Sequence, residues 1–135
     1  MGTPLAIWRG TEGTSPVDES RPVAVLIAED PRSSHRANEA MRIALGVAAG
    51  ENDVTIILTG PAVHLLDADT DDLVDGDHIA RHREALRTMG IPFHIEKSAI
   101  PADTADWNEE GHTVIPVSPD EIAELLGRCR RFIVF

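Results

Sequence analysis

The stretch from residue 22 to residue 60 constrains the fold most, because it contains a complete strand–helix–strand unit. Residues 22–28 form an almost unbroken apolar run, which is typical of a strand covered on both faces. Residues 54–58 have the same character. The segment between them places its small and apolar residues on one face of a helical wheel, namely Ala37, Ala40, Met41, Ala44, Leu45, Val47 and Ala48. Two parallel strands joined by a right-handed helical crossover are therefore expected.

The rest of the chain continues this alternation of strands and helices. Further strands are predicted at residues 91–95, 112–117 and 131–135, with helices in two of the connections. Five strands alternating with helices predict a three-layer α/β/α sandwich with a mainly parallel, Rossmann-like sheet. Residues 22–135 are expected to form one α/β domain, preceded by a flexible tail at residues 1–21.

Helix boundaries follow from local capping signals. Ser33 or Ser34 is expected to cap the first helix, and for Ser33 capping is favoured over ligand binding. Asp77 is expected to cap a helix at residues 78–89. The apolar stripe of that second helix is Ile79, Leu86 and Met89. The strongest signal is the last one, where Ser118, Pro119 and Glu121 form a capping box with proline in the first turn.

Composition and charge exclude several function classes. With 12 basic and 23 acidic residues the formal net charge is −11, which argues against nucleic acid and against an anionic membrane as partners. The apolar runs are too short for a transmembrane helix. The single cysteine excludes an internal disulfide framework and is typical of the cytoplasm. Leu5, Ile7 and Trp8 are the apolar exception in the tail, and docking on the domain or on a neighbouring subunit is the alternative for them.

Ligand sites in parallel sheets lie beyond the carboxyl ends of the strands. The candidate ligand-binding residues are those that follow a predicted strand: Asp30, Arg32, Ser33, Thr59, Gly60, Glu96, Lys97 and Ser98. Ordinary turns and caps are the alternative interpretation for the same residues. No glycine-rich phosphate loop follows the first strand, and no cofactor is expected.

Two sequence patterns resemble metal sites, but neither is complete enough to predict a bound metal. Asp67, Asp69, Asp71 and Asp75 match four positions of a calcium loop, but Asp72 stands where that loop requires glycine, so a solvated acidic loop is favoured. His78 and His82 are four residues apart, as two zinc ligands on a helix would be. A third ligand cannot be placed from the sequence, so a hydrogen-bonded, partly buried histidine is favoured over a metal site.

Cys129 is the only cysteine of the chain and therefore the only candidate thiol nucleophile. It lies on the apolar face near the C-terminus of the last helix, where the helix dipole and burial both disfavour a thiolate. We therefore interpret it as a core residue, with a sulfurtransferase that uses Cys129 as the alternative.

The chain from residue 22 to residue 135 resembles the DsrE/DsrF-like family of sulfur-relay proteins. The resemblance is carried by the end of the alanine-rich helix at Gly50, the strand and turn at residues 54–66, Met-Gly-Ile-Pro-Phe-His-Ile at residues 89–95, and residues 115–126 and 131–135. It implies a five-stranded sheet, association into homotrimers or homohexamers, and a sulfur-carrier protein as a possible partner. In catalytic members a cysteine just after the third strand carries a persulfide, and the resemblance places Glu96 at that position.

A carboxylate cannot hold sulfane sulfur, so the sequence predicts a non-catalytic binding or scaffold subunit of a sulfur-relay system. One alternative is a small enzyme that uses Glu96 and His94, or a metal held by His78 and His82, for acid–base or metal-assisted chemistry. The other is the sulfurtransferase based on Cys129.

Overall fold

A computed structural model describes residues 21–135, so the predicted tail lies outside the described residues apart from Arg21. Within this range five strands form one sheet: β1 (Val23–Ile27), β2 (Val54–Leu58), β3 (Phe93–Glu96), β4 (Val114–Val117) and β5 (Arg131–Val134). Three α-helices accompany it, α1 (Arg36–Ala49), α2 (Gly76–Thr88) and α3 (Pro119–Arg128). The strand order is β4-β3-β2-β1-β5, and every pair is parallel. The predicted α/β class and parallel five-stranded sheet are confirmed.

The two faces of the sheet are covered unequally. Helices α1 and α2 pack together on one face, and the main core lies between them and the sheet. The largest buried side chains of that core include Ile27, Met41, Ile56, Leu58, Leu65, Leu86, Phe93 and Ile95. A smaller cluster of Ile57, Val117 and Ile122 lies on the other face, under α3. The third layer is thus a single helix of 10 residues.

The order of the connections explains why the two faces of the sheet are covered unequally. The chain moves across the sheet from β1 to β4, and α1, α2 and the segment of residues 97–113 all lie on the α1 side, since Trp107 in that segment belongs to the main core. Its indole Nε1 donates to the carbonyl of Val63 at 2.8 Å. From β4 the chain returns through α3 to β5, on the far side of β1. Right-handed crossovers in opposite directions place their connections on opposite faces, as observed.

The helix ends confirm some capping predictions and correct others. At α3 the Ser118 side chain accepts from the Glu121 N–H, and the Glu121 carboxylate accepts from the Ser118 N–H, so the predicted capping box is confirmed. The prediction for α2 was wrong. This helix begins at Gly76, and Asp77 lies in its first turn rather than at the cap. A Cβ on Gly76 would lie 2.0 Å from the carbonyl oxygen of Thr70, so only glycine fits the turn that leads into α2.

The buried stripe of α2 also differs from the prediction. Ile79 and Leu86 are buried as expected, but Met89 is 45% exposed and the third buried residue is Arg83. The Arg83 guanidinium donates to the carbonyls of Leu65 at 2.9 Å and Asp67 at 2.8 Å, and its Nε donates to Glu110 Oε1 at 3.1 Å. A buried cation is tolerated here because three oxygen acceptors surround it.

The strand ends are shifted slightly from the sequence-based boundaries. β3 begins at Phe93 rather than residue 91, and β4 begins at Val114 rather than residue 112. No helix among residues 21–135 is both long and apolar enough to cross a membrane.

Candidate functional site

The carboxyl ends of β3 and β4 define the candidate site. These two strands are neighbours, yet β3 continues into the segment on the α1 side of the sheet, and β4 continues into α3 on the other side. In open parallel sheets, ligands usually bind beyond the carboxyl ends of neighbouring strands whose connections leave to opposite faces. We call this place the β3–β4 crevice. Glu96, Lys97 and Ser118 lie at its two strand ends.

Glu96 is the last residue of β3, and its carboxylate is tied to the neighbouring strand end. Its Oε1 accepts a hydrogen bond from the backbone N–H of Gly60 at 3.2 Å. Gly60 follows β2, opens a 3₁₀ helix at Gly60–Leu66, and has φ +53°, a conformation that favours glycine. The structure therefore brings together two of the sequence-predicted residues, Gly60 and Glu96, with Thr59 beside Gly60.

Lys97 is the only lysine of the chain, and it lies at the crevice. Its side chain is 62% exposed, and its Nζ lies 3.9 Å from Glu121 Oε1. That oxygen already accepts from the Ser118 N–H at 2.7 Å, and this hydrogen bond lowers the pKa of Glu121. The Lys97 ammonium is thus held only weakly and faces solvent, where it can meet an anionic group. Ser98 follows it within a short 3₁₀ helix at Lys97–Ala99.

Asp30 and Arg32, after β1, are paired with each other. Three hydrogen bonds of 3.0 to 3.3 Å join the guanidinium to the carboxylate, and this pairing lowers the pKa of Asp30. The N–H of Ser33 donates to the Asp30 carbonyl inside the turn. The Ser34 hydroxyl accepts from the Arg36 N–H at 3.1 Å. The cap residue of α1 is His35, which makes no side-chain cap hydrogen bond, so the prediction that Ser33 or Ser34 caps this helix was wrong.

A histidine–aspartate pair beside this turn was not predicted. His64 Nδ1 lies 3.0 and 3.1 Å from the two carboxylate oxygens of Asp67. The pair is close enough to Asp30 and Arg32 to act on their charges, since His64 contributes to the lowered pKa of Asp30 and Asp67 to the raised pKa of Arg32. The spacing of three residues in a helical turn was the available signal, but it is common by chance.

Neither pattern that suggested a metal assembles a metal site in the described part of the chain. Residues 21–135 contain no group of three or more histidine, cysteine or acidic side chains placed to hold an ion. His78 Nδ1 accepts from Arg81 at 3.0 Å, and His82 Nδ1 pairs with Asn38 Oδ1 at 3.0 Å. Burial, together with the nearby cations, lowers the pKa of His82.

His94 shares a sheet face with Glu96, two residues along β3, on the side that carries α3. Its ring is half-buried, its Nδ1 lies 3.3 Å from the Ile56 carbonyl, and burial lowers its pKa. A neutral imidazole held against the backbone is a structural arrangement, and no hydrogen bond joins His94 to Glu96 among the described residues.

Cys129 lies at the amino ends of the strands, the opposite end of the sheet from the β3–β4 crevice, with its thiol against Thr55 of β2. It follows α3, and the N–H of its neighbour Arg130 donates to the carbonyl of Pro22 at the start of β1. The thiol is half-buried and donates to the Leu125 carbonyl at 3.2 Å. Burial raises the pKa of Cys129, so the thiol form dominates at neutral pH.

Comparison with known proteins decides the family. The model of the DsrE/DsrF-like family matches residues 21–135, which is most of the chain. This chain belongs to the DsrE/DsrF-like family. The crystal structure of the ychN protein from E. coli is similar to this DsrE-like chain with a TM-score of 0.66 and 16% sequence identity, covering 85% of this chain and 99% of that one. At this identity the likeness shows a shared fold. No curated protein sequence matches significantly.

Proposed function

We propose that this DsrE-like protein serves sulfur metabolism as a binding subunit that carries no sulfur of its own. Family membership supports the link to sulfur metabolism. The proposal that the chain carries no sulfur rests on the separation of two residues. Glu96 stands at the carboxyl end of β3, where the resemblance implies the sulfur-bearing thiol, and the sole cysteine, Cys129, lies at the amino ends of the strands.

The environment of Cys129 supports a structural role for it. A persulfide forms on a thiolate, and reactive cysteines sit near cations or helix N-termini with a depressed pKa. Cys129 follows the C-terminal end of α3, and although the charge of Arg128 favours the thiolate, burial outweighs it and raises the pKa of Cys129. Its hydrogen bond to the Leu125 carbonyl also favours the protonated thiol.

The β3–β4 crevice is suited to receiving a partner rather than to performing chemistry. Glu96 is fixed on the Gly60 N–H, and Lys97 presents an exposed cation beside it. The proposed partner is a cytoplasmic sulfur-carrier protein with an acidic group that reaches Lys97. We further propose that the chain works as a homo-oligomer, a trimer or hexamer.

Crosslinking through Lys97 tests this proposal, because the chain has no other lysine. With the N-terminal amine blocked, a short amine-reactive crosslinker attaches only at the crevice. Added to an extract of the source cells, it is expected to join the chain to a sulfurtransferase or sulfur carrier, identified by mass spectrometry.

The matched control is Lys97→Arg, which keeps the positive charge and removes the reactive amine. This variant is expected to lose the crosslink and still to retain the same partner in affinity purification, whereas Lys97→Glu loses both. If only proteins without a link to sulfur are recovered through Lys97, the proposed function is wrong.

A further inference from the structure

The sheet face that carries α3 is only partly covered among the described residues. Strand register places Phe132 and Val134 of β5 on this face, beside Ala24 and Leu26 of β1. The apolar cluster under α3 contains Ile57 and Val117, with Leu26 of β1 packed against it, and it includes no residue of β5. Phe132 and Val134 are each 56% exposed. An apolar strip therefore runs along β5 on the α3 side.

β5 is also an edge strand, paired on one side with β1. Edge strands with exposed apolar side chains are prone to association, and proteins usually shorten, charge or cover them. Here β5 starts with Arg131 but carries Phe132 and Val134 without cover from residues 21–135. An additional segment on this strip would remove two large apolar side chains from water.

We propose that the apolar group at residues 5–8 of the same chain covers Phe132 and Val134. The described chain begins beside β5, since the N–H of Arg130 donates to the carbonyl of Pro22 at 3.0 Å. The described chain therefore begins at one end of the strip. The largest apolar side chains of residues 1–20 are Leu5, Ile7 and Trp8, grouped within four residues.

The length of the chain between residue 8 and residue 22 and the charges near its end are both consistent with residues 5–8 covering β5. The fourteen residue-to-residue steps from Trp8 to Pro22 span about 45 Å when extended, and β5 is about 13 Å long. Asp18 and Glu19 lie just before the described chain, where Arg128 and Arg131 flank the start of β5. Neither arginine makes an ion pair with residues 21–135. Opposite charges at this point steer the segment toward β5.

Fluorescence of Trp8 in the full-length protein tests the proposal. The chain has two tryptophans, so subtracting the emission of Trp8→Phe from that of the unmodified protein isolates Trp8 without disturbing the buried Trp107. We expect blue-shifted Trp8 emission that is poorly quenched by acrylamide. Phe132→Ser is expected to shift it to the red and increase quenching toward that of a free tryptophan.

Ile115→Ser is the matched control, because Ile115 is exposed on the same sheet face but lies on β4, beyond α3. It is expected to leave Trp8 emission unchanged, and far-ultraviolet circular dichroism verifies that each variant folds. The proposal is overturned if Trp8 is fully quenched in the unmodified protein, or if Phe132→Ser has no effect. It is also overturned if protection is lost on dilution to the monomer, since a second copy would then be the cover.

Discussion

The carboxylate of Glu96 accepts a hydrogen bond from the backbone N–H of Gly60, 36 residues earlier, and so ties the carboxyl ends of β2 and β3 together. Glu96→Ala removes the acceptor and leaves that N–H without its partner, which we expect to lower the free energy of unfolding by about 1 kcal/mol. Glu96→Gln keeps an oxygen acceptor and is expected to cost less. Urea denaturation measures both, and equal losses for the two variants would show that the hydrogen bond contributes nothing.

The position of the loop of residues 97–113 depends on the buried side chain of Arg83. Its guanidinium joins the carbonyls of Leu65 and Asp67 to the carboxylate of Glu110. Arg83→Ala would take these donors away from the Leu65 and Asp67 carbonyls and open a cavity, so we expect a loss of about 3 kcal/mol in unfolding free energy.

The matched control for Arg83 is Arg87→Ala on the same helix. Arg87 is exposed and pairs only with Glu84, so its removal should change stability by less than about 0.5 kcal/mol. A similar loss for both variants in thermal denaturation would contradict the assigned role of Arg83.

Glu110 gives the fold an acid-sensitive contact. Partial burial alone would raise the pKa of Glu110, but hydrogen bonds from His112 and Arg83 outweigh it and lower the pKa from its usual 4.5. A carboxyl whose pKa is lower in the folded state stabilises the fold above its unfolded pKa, and that stability is lost as pH falls through the folded value. Glu110→Gln should therefore flatten the decline of unfolding free energy below about pH 4.5. Parallel curves for variant and unmodified protein between pH 7 and pH 3 would rule this contribution out.

Cys129 should react slowly with alkylating agents. Burial raises its pKa, so little thiolate is present at neutral pH. We expect iodoacetamide to modify the native protein more slowly than free cysteine at pH 7, and at the rate of free cysteine after unfolding in guanidinium. Faster reaction in the native state than with free cysteine would contradict the structural assignment.

Local signals in the sequence predicted the parts of the fold that depend on local physics. The apolar runs of β1 and β2 and the capping box of Ser118 and Glu121 are such signals, and the structure confirms them. The exposure of Met89 and the burial of Arg83 could not be predicted, because helical periodicity counts an arginine as polar wherever it lies. Arg83 is buried because the Leu65 and Asp67 carbonyls and Glu110 converge on it from distant parts of the chain.

The candidate site was likewise predictable from the sequence only in part. The rule that ligands lie beyond the strand ends indicated Gly60, Glu96 and Lys97 individually, but their mutual geometry depends on strand order. The contact between Glu96 and Gly60 exists because β3 pairs with β2. The His64–Asp67 pair could not be predicted, because the sequence does not show that the pair lies beside the turn that contains Asp30.

We propose that this DsrE-like chain holds no sulfur because Glu96 stands at the end of β3. Intact-mass measurement after incubation with inorganic polysulfide tests it most directly, with unmodified protein, Glu96→Cys and Cys129→Ser compared. We predict no added mass on the unmodified protein, and an increment of about 32 Da on Glu96→Cys, the signature of one persulfide. A sulfur increment on the unmodified protein that disappears in Cys129→Ser would contradict the account.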